Sequence, residues 1–170
     1  MMKDSYYEKQ RFNQWWIWLM LIGLTLFSYY TCIQEVVYGN VIGSSGPSGN
    51  GAYLPPIIMS VITLLFILFK LETRMDTEGI HVRFFPFHGK WRSFPWTSIK
   101  EASVREYRPL IEYGGWGLRG LGSNRALNVS GKTGIQLTFQ NGDKLLIGTQ
   151  NGDIVKPIIK DLLPFIPDSV

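Results

Sequence analysis

The sequence predicts a membrane α-helical hairpin joined to a β-rich domain. Three observations support this fold class. First, two long uncharged apolar runs lie within the first 69 residues. Second, the residues after them alternate between apolar and polar with a period of two, in short stretches separated by turn residues. Third, the apolar residues after Thr149 have helical spacing. At 170 residues, the chain has room for the hairpin and one modest domain.

Both apolar runs are long enough to cross a membrane. Residues 12–34 carry no charge over 23 positions, and residues 52–69 carry none over 18. As a helix the first run spans roughly 34 Å, which exceeds the hydrocarbon core of a bilayer. Aromatic residues typical of membrane interfaces flank the first run; they are Trp15, Trp16, Trp18, Tyr29 and Tyr30. We therefore expect transmembrane helices at about 13–34 and 53–70, within a hairpin of residues 12–71.

The distribution of basic residues predicts the orientation of this hairpin. Lysines and arginines precede the first run and follow the second, and none lies between them; they are Lys3, Lys9, Arg11, Lys70, Arg74 and Arg83. Positive residues concentrate on the cytoplasmic side of a membrane. We expect residues 1–11 to be a cytoplasmic segment, residues 35–52 an external loop, and the chain a multi-pass membrane protein with both termini cytoplasmic.

Two other interpretations of the apolar runs remain open. They match buried helices of a soluble core, although two runs of this length with almost no polar face disfavour that. The first run, with the basic residues before it, also resembles a signal peptide, but it is too long and no small-x-small cleavage site precedes Cys32. Cys32 is the only cysteine, so it cannot form an intramolecular disulfide and is expected to be a small buried hydrophobe.

From Thr77 onwards the pattern predicts about six or seven antiparallel strands and then one helix. Strands are expected at residues 80–85, 91–94, 99–107 and 126–129, and on both sides of Asn141-Gly142, a favoured two-residue hairpin turn. Apolar residues with helical spacing predict an amphipathic C-terminal helix that Pro157 would bend or begin; they are Ile154, Val155, Ile158, Ile159, Leu162 and Leu163.

Several motifs accompany this order: Thr77-x-Gly79-Ile80, Phe94-Pro95-Trp96-x-x-Ile99, Tyr113-Gly114-Gly115-Trp116-Gly117-Leu118-Arg119 and Ile147-Gly148-Thr149-Gln150. With them, the chain resembles small bacterial membrane proteins that carry a pleckstrin-homology-like (PH-like) domain after two transmembrane helices, a family of unknown function. The resemblance implies a bent antiparallel sheet, or partly open barrel, of about seven strands capped by a C-terminal helix, over residues 75–166. It also implies a bacterial inner membrane as the location, and it implies no reaction.

Three basic residues form a candidate lipid-headgroup site: Arg83, Lys90 and Arg92. They bracket the first predicted hairpin of the domain, and their spacing is similar to that of the basic residues with which lipid-binding PH domains hold a phosphoinositide. Alternate residues of a strand share a face, so a curved hairpin can direct several cations at one phosphate. The alternative is a solvated basic face beside an anionic leaflet.

The glycine- and tryptophan-rich stretch from Tyr113 to Gly122 is a candidate partner-binding loop, with Tyr113, Trp116 and Arg119 as its candidate contacts. Gly115-x-Gly117-x-x-Gly120 matches the dinucleotide fingerprint, but that motif requires a following helix, and both flanks here are β-like. The alternative is a tight turn in which Trp116 packs against the sheet.

The sequence suggests no catalytic residues, metal site, cofactor or small-molecule substrate. His81 and His88 have no cysteine or clustered carboxylate near them in sequence, and a net charge of +4 is too weak to indicate nucleic acid. We predict a non-enzymatic membrane protein whose cytoplasmic domain docks onto, or regulates, a protein partner in or at the membrane. Sensing of anionic lipid headgroups through Arg83, Lys90 and Arg92 is the alternative, and an enzyme or transporter subunit is a third possibility.

Overall fold

The computed structural model describes residues 6–39, 50–120 and 122–162. The chain divides into two compact units: a helical unit, Asn13–Leu68, and a β-rich unit made of Met1–Phe12 together with Phe69–Val170. The β-rich unit therefore includes the N-terminal segment, whereas the sequence led us to expect a separate segment 1–11 and a domain beginning at residue 75. Each unit is described by itself.

The helical unit is an antiparallel pair of helices. Helix α1 spans Trp15–Tyr38 and helix α2 spans Leu54–Leu68, preceded by a 3-10 turn at Asn50–Tyr53. Polar side chains join them: Thr25 Oγ1 lies 3.0 Å from Thr63 Oγ1, and Tyr29 OH lies 3.0 Å from Ser60 Oγ. α1 continues past its predicted end at residue 34 and stops at Gly39, whose φ of 68° is left-handed. Of the predicted external loop, residues 40–49 lie outside the described residues.

Helix α1 and the 18-residue stretch Gly51–Leu68, which joins the end of the 3-10 turn to α2, are long and apolar enough to cross a membrane. Only 17% of the most apolar stretch of α1 is buried, and only 11% of Gly51–Leu68. Large apolar side chains such as Leu19 and Phe27 are 66% and 58% exposed. Because the core helix of a soluble protein is mostly buried, this exposure disfavours the soluble-core interpretation of the two runs.

The first sheet of the β-rich unit has four antiparallel strands in the order β1-β2-β3-β4. They span Tyr6–Arg11, Lys70–Met75, Gly79–Phe85 and Arg92–Pro95. The alternation seen in the sequence directs Ile80, Val82 and Phe84 to the buried face of β3. The strands predicted at residues 80–85 and 91–94 correspond to β3 and β4.

Strand β1 is an element that the sequence did not reveal. It pairs with β2 along its whole length, from Tyr6 opposite Met75 to Arg11 opposite Lys70. Its inward positions include Glu8 and Gln10, both buried, so the strand lacks the apolar alternation that usually identifies a half-buried strand. Because β1 and β2 are neighbours in the sheet, the helical unit is inserted in the connection between them.

The second sheet has five strands in the order β5-β8-β9-β7-β6. The strands span Ile99–Glu106 (β5), Gly117–Arg119 (β6), Asn124–Asn128 (β7), Thr133–Phe139 (β8) and Lys144–Gly148 (β9). All of its pairs are antiparallel except that of β7 with β9, which is parallel. The described residues thus contain nine strands in two sheets, and the expectation of an entirely antiparallel arrangement is wrong for this pair.

Two helices complete the β-rich unit. Helix α3, Pro109–Tyr113, follows β5, and helix α4, Gly152–Leu162, ends the described part of the chain and packs against β5 and β8. The predicted C-terminal helix is confirmed, with Pro157 inside it. The predicted two-residue turn at Asn141-Gly142 is wrong, because the loop has three residues. Phe139 N donates a hydrogen bond to Asp143 O at 2.8 Å, and this bond closes the loop around residues 140–142. Gly142 in this loop has a φ of 84°.

Candidate functional site

The three predicted headgroup residues do not converge in the structure. Arg83 lies on the outer face of the first sheet, whereas Arg92 pairs with the buried Val82 and belongs to the opposite side of the sheet. Lys90 is exposed in the β3–β4 connection. The Arg83 guanidinium donates to Glu72 Oε2 through Nε at 2.7 Å and lies 5.0 Å from the ring centroid of Trp91. Headgroup binding by this trio stays a prediction.

Strand pairing assembles a different group of cations on the outer face of the first sheet. The register aligns three rows across β1, β2 and β3: Tyr7–Arg74–His81, Lys9–Glu72–Arg83 and Arg11–Lys70–Phe85. We call these nine residues the basic face. Its five cations surround one carboxylate, Glu72, and a second, Asp76, lies at its edge beside Arg74. Sequence spacing could not show this group, because Lys9 and Arg11 are about sixty residues from their neighbours.

Glu72 is the electrostatic centre of the basic face. Besides the two hydrogen bonds from Arg83, it accepts one from Tyr7 OH at 3.3 Å and lies 3.6 Å from Lys70 Nζ. Burial acts to raise the pKa of Glu72, but the hydrogen bonds from Arg83 and the charge of Lys70 outweigh it, so the pKa lies below its ordinary value. Burial and the Glu72 charge raise the pKa of Tyr7.

A Ser–His–Asp chain at the edge of the basic face was also not predicted. His81 Nδ1 lies 2.7 Å from Ser93 Oγ, and His81 Nε2 lies 3.2 Å from Asp76 Oδ1. These residue types occur together in nucleophilic catalysis. Strand pairing accounts for the contact here, because His81 and Ser93 are direct cross-strand partners. Asp76 also closes the β2–β3 turn by accepting hydrogen bonds from the backbone N–H groups of Glu78 and Gly79.

The three predicted partner contacts have different environments. Tyr113 packs against a buried cluster of Tyr107, Ala126 and Leu146, and its hydroxyl accepts a hydrogen bond from Arg105 at 3.4 Å. Trp116 donates from Nε1 to Gly131 O at 3.3 Å. Arg119 donates from Nε to Trp116 O at 2.9 Å and so holds the turn in shape. The structural alternative, a tight turn organised by Trp116, therefore describes part of this stretch.

An ion pair holds α3 over the second sheet. Arg105 Nη2 lies 2.9 Å from Glu112 Oε2, and Arg105 also donates to Gln136 Oε1 from Nε at 3.1 Å and from Nη2 at 3.0 Å. The hydrogen bond from Arg105 is the largest cause that lowers the pKa of Glu112, followed by the hydrogen bond that the backbone N–H of Arg108 donates to Glu112 Oε1 at 2.7 Å. The sequence did not predict α3, the helix that carries Glu112.

The outer side of α3 presents unpartnered apolar side chains. Leu110 is 67% exposed and Ile111 is 76% exposed. Together with Pro109 and Trp116 they line a groove of about 580 Å³, and Arg108 and Lys132 lie at its rim. We call this surface the α3 groove. Of the predicted contacts, only Trp116 lines it.

A buried carboxylate, Glu8, connects β1 to the segment that lies between β9 and α4. Glu8 Oε2 accepts hydrogen bonds from Tyr6 OH at 2.6 Å and Thr149 Oγ1 at 2.7 Å, and Glu8 Oε1 accepts one from Gln150 N at 2.8 Å. Burial, with the hydrogen bond to Glu8, raises the pKa of Tyr6 to about 12. The Thr149-Gln150 part of the sequence motif thus serves as the partner of a strand from the opposite end of the chain.

Among the described residues, no group of three or more His, Cys, Asp or Glu side chains is arranged to hold a metal ion. The glycine motif contains the short strand β6, and the next described element after it is strand β7 rather than a helix. It therefore lacks the helix N-terminus on which a dinucleotide phosphate would bind.

Comparison with known proteins does not assign the chain to a family. No model of a known protein family matches it, and no curated protein matches it either.

Proposed function

We propose that the chain is an integral protein of a bacterial inner membrane whose β-rich unit is a non-enzymatic, cytoplasmic docking module with a PH-like fold. The apolar exposed surfaces of α1 and α2 support membrane insertion. The basic residues next to both helices, and the absence of any between them in the sequence, support the cytoplasmic side.

The strand order supports the PH-like assignment. Four antiparallel strands, β1 to β4, form the first sheet, and β5, β8 and β9 form an antiparallel run of three that leads into the C-terminal helix. That is a framework of seven strands followed by a helix, the number that the resemblance implies, although the resemblance places all of the strands within residues 75–166 and β1 and β2 lie outside that range but for Met75. Two insertions interrupt it: the helical unit between β1 and β2, and the α3-β6-β7 segment between β5 and β8.

The α3 groove is the observation on which the docking function rests. Two adjacent aliphatic side chains, Leu110 and Ile111, are 67% and 76% exposed, and they border a concave groove that is largely apolar. The two cations and two carboxylates along the groove (Arg108, Lys132, Glu106 and Glu112) balance in charge, so recognition there is mainly apolar. We assign as occupant an apolar segment of another membrane protein exposed at the cytoplasmic surface.

Site-specific photo-crosslinking in intact membranes tests this assignment. A photoreactive amino acid replaces Ile111 in the α3 groove, or Lys156 on the exposed surface of α4 as the matched control. We expect one discrete adduct with a different integral membrane protein from position 111 and none from position 156. Leu110→Ser in the same chain should reduce that adduct about tenfold, because it removes apolar contact without altering a buried residue.

Three outcomes would contradict the docking function. An adduct of twice the 19.4 kDa chain mass would show that a second copy occupies the groove. Adducts with lipid alone would show that the groove faces the bilayer. Equal adducts from positions 111 and 156 would show that the groove has no preferred partner.

A further inference from the structure

The basic face holds most of the net charge of the molecule on one surface. Its cations, counted against Glu72 and Asp76, leave a surplus of about three positive charges, while the whole chain carries +4. Glu72 is already engaged by Arg83 and Tyr7. Among the described residues, Lys9 and Arg11 are exposed and have no carboxylate in ion-pair range. The face therefore offers cations that the fold does not neutralise.

Chain connectivity places part of this face close to the apolar helices in sequence. Arg11 precedes the first residue of α1 by four positions, and Lys70 follows the last residue of α2 by two. These two residues are also direct partners in the β1–β2 pair. If the helices cross a membrane, the polypeptide between Arg11 and the first helical residue reaches at most about 14 Å. That distance keeps the end row of the face within reach of lipid phosphates.

We infer that the Lys9–Arg11–Lys70 end of the basic face binds the phosphate groups of anionic phospholipids. Ammonium and guanidinium groups form charge-assisted hydrogen bonds with phosphate oxygens, and each basic residue near an anionic leaflet adds attraction that decays within a Debye length. The site uses cations from two strands separated in sequence by the whole helical unit. It differs from the predicted Arg83, Lys90 and Arg92 trio, in which Arg83 is held by two hydrogen bonds to Glu72. In the site inferred here Lys70 lies 3.6 Å from Glu72, whereas Lys9 and Arg11 have no carboxylate partner among the described residues.

This inference rests on the membrane location proposed above and is independent of the α3 groove. The test uses the full chain purified in a neutral detergent, with native mass spectrometry to count retained lipids. The probes are phosphatidylglycerol, phosphatidylcholine and inorganic phosphate. The variant carries Lys9→Gln, Arg11→Gln and Lys70→Gln. The matched control carries Lys100→Gln, Lys156→Gln and Lys160→Gln, which remove the same charge from exposed positions elsewhere on the β-rich unit.

We expect the wild type and the control to retain phosphatidylglycerol in preference to phosphatidylcholine, and the basic-face variant to bind it at least about tenfold more weakly. Added salt should weaken binding in the wild type more than in the variant. Circular dichroism checks that the variant keeps its β content. Lys9→Gln alone, which changes only an exposed side chain, should reduce phosphatidylglycerol binding by a smaller amount.

Equal loss in the control and the basic-face variant would overturn the inference, since it would assign binding to net charge alone. Equal retention of phosphatidylcholine would overturn the preference for anionic lipid. Displacement of phosphatidylglycerol by inorganic phosphate at comparable concentration would reassign the site to free phosphate. None of these results alters the crosslinking from position 111, so failure here is distinguishable from failure of the docking function.

Discussion

At the scale of single residues, the least expected feature is the buried carboxylate of Glu8. A buried charge is costly unless hydrogen bonds satisfy it. Here Tyr6, Thr149 and Gln150 supply three short donors. Glu8 therefore ties the first strand of the chain to the segment between its last strand and its last helix, and its carboxylate is expected to be structural.

Glu8→Gln tests this structural role. The amide oxygen accepts fewer and weaker hydrogen bonds than the carboxylate, and the amide NH2 faces the backbone N–H of Gln150. We expect the β-rich unit to lose about 2 kcal/mol of stability, or about 10 °C in melting temperature by circular dichroism. Glu101→Gln, at an exposed carboxylate on β5, is the matched control and should change the melting temperature little. Equal melting of both variants would refute the role of Glu8.

Glu72 predicts a pH dependence of stability. Its folded pKa lies below the unfolded value of 4.5 because hydrogen bonds from Arg83 and the charge of Lys70 outweigh burial. Its contribution is therefore complete above pH 4.5 and is lost as the pH falls through the folded pKa. The free energy of unfolding can be measured with urea at a series of pH values from about 6 to about 3. As the pH falls, this free energy should decrease less in Glu72→Gln than in the wild type. Parallel curves for the two proteins would contradict this account.

At the scale of elements, the N-terminal strand and the insertion of the helical unit define the architecture. β1 and β2 pair as a hairpin whose connection is the whole of Asn13–Leu68. The rings of Phe12 and Phe69, at the two ends of that insertion, have centroids 5.9 Å apart. The two ends are thus as close as the ends of an ordinary short hairpin loop, so the β-rich unit does not require the helices to bring β1 and β2 together.

Replacement of the helices by a short turn tests this architecture. We expect a variant that joins Phe12 to Phe69 through about three Gly/Asn residues to be soluble and to unfold cooperatively. The fragment 75–170, which contains the domain predicted from the sequence at residues 75–166, lacks β1 and all of β2 except Met75. It leaves the donors of Thr149 and Gln150 without Glu8. We expect it to aggregate, as monitored by light scattering and circular dichroism. A stably folded 75–170 fragment would show that β1 and β2 are dispensable.

Local patterns explain which elements the sequence predicts. Helices α1 and α2 follow from uncharged runs, and β3, β4, β8 and α4 follow from apolar periodicity. β1 does not, because its buried positions are polar. The parallel pairing of β7 with β9 does not either, because long-range register is not encoded by the residues of one strand. Helix α3, five residues long, is too short to show a period.

The candidate sites were predicted less well than the fold, for the same reason. Trp116 was predicted as a candidate contact because a tryptophan among glycines stands out in the sequence. The basic face combines β1 with β2 and β3, so it exists only after the strands pair. Leu110 and Ile111 are ordinary apolar residues in sequence, and only their exposure in the folded chain marks the α3 groove.

At the scale of the whole molecule, the main question is on which side of the membrane the β-rich unit lies. β1 and β2 are adjacent strands of one unit, so the chain must leave that unit and return to it on one side of any membrane that α1 and α2 cross. This conclusion is independent of the basic residues that indicate the cytoplasmic side. The two arguments together support a docking unit that is confined to the cytoplasmic surface.

Cysteine accessibility measures this topology most directly. In a Cys32→Ser background, single cysteines replace Ser45 between the helices or Lys156 on α4, and a membrane-impermeant maleimide is applied to intact cells. We expect labelling at position 45 in intact cells, and at position 156 only after the inner membrane is permeabilised. Labelling of position 156 in intact cells, or protection of position 45 from the external reagent, would rule out a membrane hairpin with a cytoplasmic β-rich unit.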